Sequence, residues 1–178
     1  MKKIEKPVVD TKKLVIVALF IALSLIGSNI KLFGTIAFDS LPGFLATLLL
    51  GSVYGAAIGF LGHIFTALTS GFPHSVPMHL VIAASMAITM FVFGYTYKVL
   101  TERLPTAGAL IITGIAGVLL NAPVSLTISM GVMAIMAGTE AALGLIALLP
   151  ALIIAATANV VLSIIVFKSL EKVWKKII

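Results

Sequence analysis

Cysteine is absent from the chain, which excludes disulfides, thiolate metal ligation and thiol catalysis. Charge is scarce: Asp, Glu, Lys and Arg together make up 10% of residues, and only six are acidic. From Ser40 to Tyr97, 58 residues, there is none, and histidine supplies the only side chains that titrate near neutral pH. As helix, that stretch would run about 87 Å, nearly three times the ~30 Å hydrocarbon core of a bilayer. One span cannot hold it, and in water it would not stay in solution. Also missing are G-x-S-x-G, H-E-x-x-H and GxxxxGK[ST], the patterns of serine hydrolases, zinc peptidases and phosphate-binding loops. No apolar segment holds a pair of acidic residues. These absences argue against an enzyme or an ATPase.

What is present is apolar. Hydrophobic residues reach 61% and the mean hydropathy is +1.23, outside the range of ordinary soluble domains. The 178 residues accommodate one all-α membrane domain, an integral bundle of six transmembrane helices. It divides into a cytoplasmic tail (1–11), the bundle (12–167) and a basic amphipathic end (168–178). The net charge of +6 is not a nucleic-acid footprint, because the basic residues flank apolar segments. Lys2, Lys3, Lys6, Lys12 and Lys13 stand at one end and Lys168, Lys172, Lys175 and Lys176 at the other, with Lys98 and Arg103 between. That is the positive-inside pattern, and the partner it implies is a lipid bilayer. Six spans put both termini and the Lys98–Arg103 loop on the cytoplasmic side and leave only Lys31 among the opposite loops. Leu14 to Ile30 follows lysines as a signal peptide would, but no A-x-A-like site follows it, so it is read as a retained first span.

Segment one runs from Lys12 to about Asn29 and is followed by the loop Lys31–Asp39. Pro42 suits the first turn of a second helix. Two breaks divide the uncharged stretch, Gly51-Ser52-Val53-Tyr54-Gly55 and Gly71-Phe72-Pro73-His74-Ser75-Val76-Pro77. The second and third helices are then short for full spans, and short segments at membrane depth are tolerated only where they are buried in protein or line a cavity. Segment four is expected over Met78–Tyr97. Segment five is expected over about Thr106–Met130, kinked at Asn121-Ala122-Pro123. Segment six is expected over about Ala141–Phe167.

Polar side chains inside spans are costly and usually face the interior. The candidates are Asn29, Lys31 and Asp39 at the end of segment one and its loop, His63 and Thr66 on segment three, and His74 and His79 at the start of segment four. Asn121, Ser125 and Thr127 follow on segment five and Asn159 on segment six. Asn159 falls toward the cytoplasmic half of its segment, which weighs against ligand contact. For the amides, hydrogen bonding between helices is an equally good reading. Phe33, Phe38, Phe44, Phe65 and Phe72 gather on the outer side, so an aromatic-walled pocket for a neutral ring-bearing molecule is expected, with lipid-facing Phe as the alternative. His74 and His79 straddle Pro77 and cannot share a helix face, so no metal site is expected. Ser70 with His74 or His79 leaves open an intramembrane hydrolase, and a small structural or channel subunit is a third reading. Small residues recur at helical spacing, Ala18 and Ala22 on segment one and Gly51, Gly55, Gly59 and Gly62 beyond it. Such stripes permit close helix approach, either within the bundle or against another subunit.

With the Ala18-Leu19-Phe20-Ile21-Ala22 pattern, the loop before a short second helix, and the runs Phe38-Asp39-Ser40-Leu41-Pro42-Gly43-Phe44 and Gly51-Ser52-Val53-Tyr54-Gly55-Ala56-Ala57-Ile58-Gly59, the chain resembles the substrate-binding S components of energy-coupling factor (ECF) vitamin transporters. The resemblance covers nearly the whole chain. It implies a multi-pass protein of a prokaryotic cytoplasmic membrane that captures a vitamin or metal at its outer face without a cofactor. It also implies docking through segment one, at Ala18 and Ala22, onto a membrane coupling subunit driven by two cytoplasmic ATPases. The Lys31–Asp39 loop would be the lid. Members that carry nickel or cobalt begin with a metal-binding histidine; Lys2 follows Met1 here, so an organic substrate is implied. Gly71-Phe72-Pro73 and Pro77-Met78-His79-Leu80 look most similar to members linked to cobalamin precursors such as α-ribazole, a benzimidazole nucleoside. Riboflavin, pantothenate and pyrimidine vitamins share the pocket type, while an anionic folate would call for more cations.

Overall fold

The structure, a computed structural model, describes residues 11–29, 31–32, 36–72 and 75–177. Lys2, Lys3, Lys6, Phe33 and His74 lie outside the described residues, as does the Lys31 side chain. Helix α1 (Thr11–Asn29) leads into a two-residue antiparallel pair, β1 (Lys31–Leu32) and β2 (Ile36–Ala37), the one departure from helix among the described elements. Then follow α2 (Leu41–Leu50), α3 (Ser52–Thr69), α4 (Val76–Thr101), α5 (Thr106–Leu119), α6 (Ser125–Ala137), α7 (Thr139–Gly144) and α8 (Leu149–Ile177). A π-helical turn, Leu120–Val124, joins α5 to α6, and a 3-10 turn, Leu145–Leu148, joins α7 to α8. Among the described residues, five continuous helical stretches are long and apolar enough to cross a membrane: Thr11–Asn29, Ser52–Thr69, Val76–Thr101, Thr106–Ala137 and Thr139–Trp174. The short apolar α2 makes the sixth bundle segment.

The bundle has a hairpin end, at β1–β2, and a basic end. Lys13 lies with its Nζ 6.0 Å from the Tyr54 ring centre, and Trp174 reaches Leu49, so the start of α1 and the end of α8 share the basic end. Lys168 there pairs with Glu171 at 3.3 Å.

Several boundaries differ from those expected. The first break is Gly51 alone, at φ 102°, a conformation glycine adopts without steric cost. Ser52–Gly55 therefore belongs to α3, which reaches 18 residues, and only α2 is short. Gly55 can sit inside a helix here because its missing Cβ leaves room for Thr47. The remaining glycines of that stripe are also used internally: Gly59 faces Met86 and Met90, and Gly62 faces Ser24. Segment five continues past Met130 to Ala137 because no charged residue stops it before Glu140. Its proline kink is the π-helical turn around Pro123, since proline has no N–H to close an ordinary turn.

Helix α2, 10 residues or about 15 Å long, is buried from Pro42 through Leu48. It packs against α1, α3, α4 and α8, as expected of a helix apolar all round. A half-span is stable at this depth because protein surrounds it. Its ends are satisfied by α8: the Leu41 N–H donates to Asn159 Oδ1 at 3.1 Å, and the Trp174 indole N–H donates to the Leu49 carbonyl at 3.0 Å. Phe44 and Phe93, meeting edge to face with centres 4.9 Å apart, form the middle of the core. On α1, Phe20, Ser24, Gly27 and Ser28 turn inward.

Candidate functional site

At the hairpin end, α2 begins well below the tops of its neighbours, and the space above it is a cavity of about 260 Å³. Three helix faces converge on it. Met78, Ile82 and Met86 recur every fourth residue along α4, Ser125, Ser129 and Met133 do the same along α6, and Leu152, Ala156 and Asn159 follow at spacings of four and three on α8. Residues at those spacings stack on one side of a helix, so each helix contributes a column. Asp39 and Ser40 enter from the turn before α2, His63 from α3, Asn121 from the π-helical turn, and Leu145 and Leu148 from the 3-10 turn.

The floor is polar and ordered. Asn159, 1% exposed, accepts from Leu41 N–H and donates through Nδ2 to the Ala155 carbonyl at 2.9 Å. Ser40, 3% exposed, occupies the N-cap position of α2 without a side-chain capping bond. Ser129 donates back to the Ser125 carbonyl at 2.9 Å, which consumes its proton and leaves the oxygen as an acceptor. Phe38 ties the loop to α1, its N–H donating to the Gly27 carbonyl at 3.1 Å. A side chain at Gly27 would collide with the Phe38 carbonyl.

Asp39, His63, Asn121, Ser125 and Asn159, which the sequence singles out separately, thus meet around one cavity. Asn159 lies about 15 Å along α8 from Leu149, yet it reaches the cavity floor. The reason is α2: its buried start carries the turn at Asp39 and Ser40 down to meet Asn159. Other candidates fall elsewhere. Asn29 is exposed and bonds its own helix at the Leu25 carbonyl. Thr127 does likewise at Pro123, and Thr66 is off the cavity wall. His79 stands behind His63, with Nδ1 3.1 Å from His63 Nε2, and Phe72 meets His79 edge-on at 5.8 Å. Ser70 is exposed in the turn after α3, where its backbone N–H donates to the Thr66 carbonyl.

The expected aromatic wall is not the one observed. No Phe, Tyr or Trp is among the described lining residues; the apolar surface is Met, Leu, Ile and Ala. Phe44 serves the core and Phe65 is exposed. Ser40, Met86, Ser129, Met133 and the Leu145–Ala156 wall are lining residues that sequence reasoning missed. The fourfold spacing of Met78-Ile82-Met86 and of Ser125-Ser129-Met133 was the available signal.

Chemically, the chamber offers one carboxylate, two amides, three hydroxyls and an imidazole over polarisable thioether walls, with no Lys or Arg among the described lining residues. That is a place to hold a small molecule by hydrogen bonds and packing. Comparison with curated proteins and with solved structures finds no match. A family model does match, over residues 12–171, and its description is ECF transporter, substrate-specific component. With that match covering nearly all of a helical chain built around a ligand-sized chamber, the protein belongs to the family of substrate-specific components of ECF transporters.

Proposed function

We propose that the protein captures a neutral, ring-bearing vitamin precursor in this cavity, with α-ribazole the favoured substrate, and hands it to an ATP-driven importer. The observation that carries the substrate class is the lining: neutral hydrogen-bonding groups and methionine, one carboxylate at Asp39, and no cation among the described lining residues. A benzimidazole ring packs well against the thioethers of Met78, Met86 and Met133, since sulfur–aromatic contacts are favourable by about 0.3–1.5 kcal/mol each. Sugar hydroxyls both donate and accept, matching amides and serines. A folate or pantothenate carboxylate would meet Asp39 instead. The volume of about 260 Å³, just below the ~300–1,000 Å³ usual for ligand pockets, suits a small molecule at the lower end of vitamin size. The Lys31–Asp39 loop acts as the lid, and Asp39, His63, Asn121, Ser125 and Asn159 are the polar contacts.

The test is a mass spectrum of small molecules released by denaturing the purified protein. A benzimidazole nucleoside in stoichiometric amount is expected. Riboflavin, pantothenate or a pyrimidine would replace the substrate assignment while keeping the capture role. A chemically altered product released with turnover would overturn capture itself.

Delivery rests on α1. Ala18 and Ala22 are exposed in the isolated chain, amid Val15, Leu19, Leu23 and Ile26, each more than 48% exposed. That face is open to a membrane coupling subunit, which two cytoplasmic ATPases would drive. In this arrangement the hairpin end faces outward and the basic end faces the cytoplasm of a prokaryotic cell. Because native cysteine is absent, orientation can be read cleanly: a cysteine replacing Lys176 should resist an impermeant thiol reagent applied to intact cells. Rapid labelling from outside would invert the topology.

A further inference from the structure

His63 is on the cavity wall, and His79, 9% exposed, lies directly behind it. Their rings stack at 30° with centres 5.2 Å apart, and His63 Nε2 is 3.1 Å from His79 Nδ1. Two facing ring nitrogens at that distance are held together only when one proton lies between them. Two bare nitrogens would repel through their lone pairs, and two N–H groups through their protons.

We propose that His63 and His79 act as one hydrogen-bonding unit in which His79 is a positioning residue: it sets whether His63 offers the cavity a donor or an acceptor. The inference rests on the cavity being the substrate chamber. The geometry permits two neutral states. With the shared proton on His63 Nε2, His63 Nδ1 is bare, and His79, accepting at Nδ1, carries its own proton on Nε2. With the shared proton on His79 Nδ1, His63 Nε2 accepts and His63 carries its proton on Nδ1. The rings therefore always hold the same tautomer. Passing from the first state to the second moves the shared proton to His79 Nδ1, takes up one proton from ligand or water at His63 Nδ1 and releases one from His79 Nε2 to water, and so turns His63 Nδ1 from acceptor into donor. Such a unit suits a neutral molecule bearing a hydroxyl, carbonyl or ring nitrogen, and it needs no counter-charge. Helix α3 and the first 22 residues of α4 carry no Lys, Arg, Asp or Glu, so neither helix supplies one. Phe72, edge-on to His79, packs against its ring without competing for a proton.

The tautomers can be read from nitrogen NMR of ¹⁵N-histidine protein in detergent, with the two rings assigned through single substitutions. Matching tautomers at His63 and His79, shifting together when α-ribazole is added, are expected. Opposite tautomers in the substrate-free protein would overturn the unit, and this arm needs no substrate. Failure of wild-type protein to bind α-ribazole would count instead against the substrate reading. The second arm separates positioning from packing. His79→Phe keeps the ring and its contact with Phe72 but removes the nitrogen, and should weaken α-ribazole binding about tenfold. His79→Gln can donate or accept toward His63 and should recover binding to within about threefold of wild type. The reverse order, Phe tolerated and Gln not, would mean that His79 only fills space.

Discussion

Uptake of substrate into cells falls to background when Ala18 or Ala22 becomes Trp, while the purified variant still binds α-ribazole with an affinity within about threefold of wild type. The expectation follows from which face of α1 is occupied. Phe20, Ser24, Gly27 and Ser28 turn into the bundle, with Ser24 against Gly62 of α3. Ala18 and Ala22 lie on the exposed side and share no wall with the cavity. Helix axes approach to about 8–10 Å when the contact residues are small, and an indole at the centre of that contact holds a partner helix away. Nothing inside the bundle has to move. If substrate binding were lost together with uptake, the alanines would belong to the bundle's own packing, and the docking assignment would fail. Lost uptake with wild-type expression and binding supports it.

Asn159→Leu should weaken substrate binding by about tenfold to a hundredfold and lower the thermal stability of the detergent-solubilised protein. Leucine nearly matches asparagine in shape, so the core around Val160 and Ser163 is undisturbed; what goes is polarity. The Leu41 N–H loses its acceptor, and the first turn of α2 is left with a part-buried, unpaired donor, at a cost toward the lower end of about 1–3 kcal/mol. The cavity floor also loses an amide on which a ligand can bond. The two losses are separable. A lower melting temperature with unchanged affinity would make Asn159 a structural cap for α2 and nothing more. Unchanged melting and unchanged affinity would contradict the hydrogen-bonded floor described above.

The polar members of the site were legible because a polar side chain in an apolar span needs an internal partner. His63, Asn121, Ser125 and Asn159 stood out for that reason and Asp39 as a charge in the loop before α2, and all line the cavity. Asn29 met the same criterion yet bonds its own helix, a local alternative that composition does not distinguish from ligand contact. Among the described residues the apolar wall is methionine and aliphatic rather than aromatic. Phenylalanines crowd that end of the sequence, but Phe44 turns to the core and Phe65 outward, while the methionines line the chamber. In a soluble helix the apolar stripe marks the inner face. In a membrane helix lipid is as good a solvent for Leu or Phe as the core is, so the stripe carries no such information.

By itself the sequence determined that the chain lives in a bilayer, that it divides into six apolar segments at the Gly51–Gly55 break, the Gly71–Pro77 turn and three charged loops, and that most of its basic residues flank those segments. Each of these depends on local quantities: the cost of charge in hydrocarbon, the backbone freedom of glycine and the missing amide hydrogen of proline. Only the tertiary structure decided that α2 is a buried half-span, that its start forms the floor on which Asp39 and Asn159 meet, that His79 stands behind His63, and that Ala18 and Ala22 are left uncovered. Those outcomes depend on the depth and rotation of one helix against another. Depth is set by which distant side chains reach the free ends of α2, Asn159 from 118 residues away and Trp174 from 125. Rotation is set by where small residues let backbones close together.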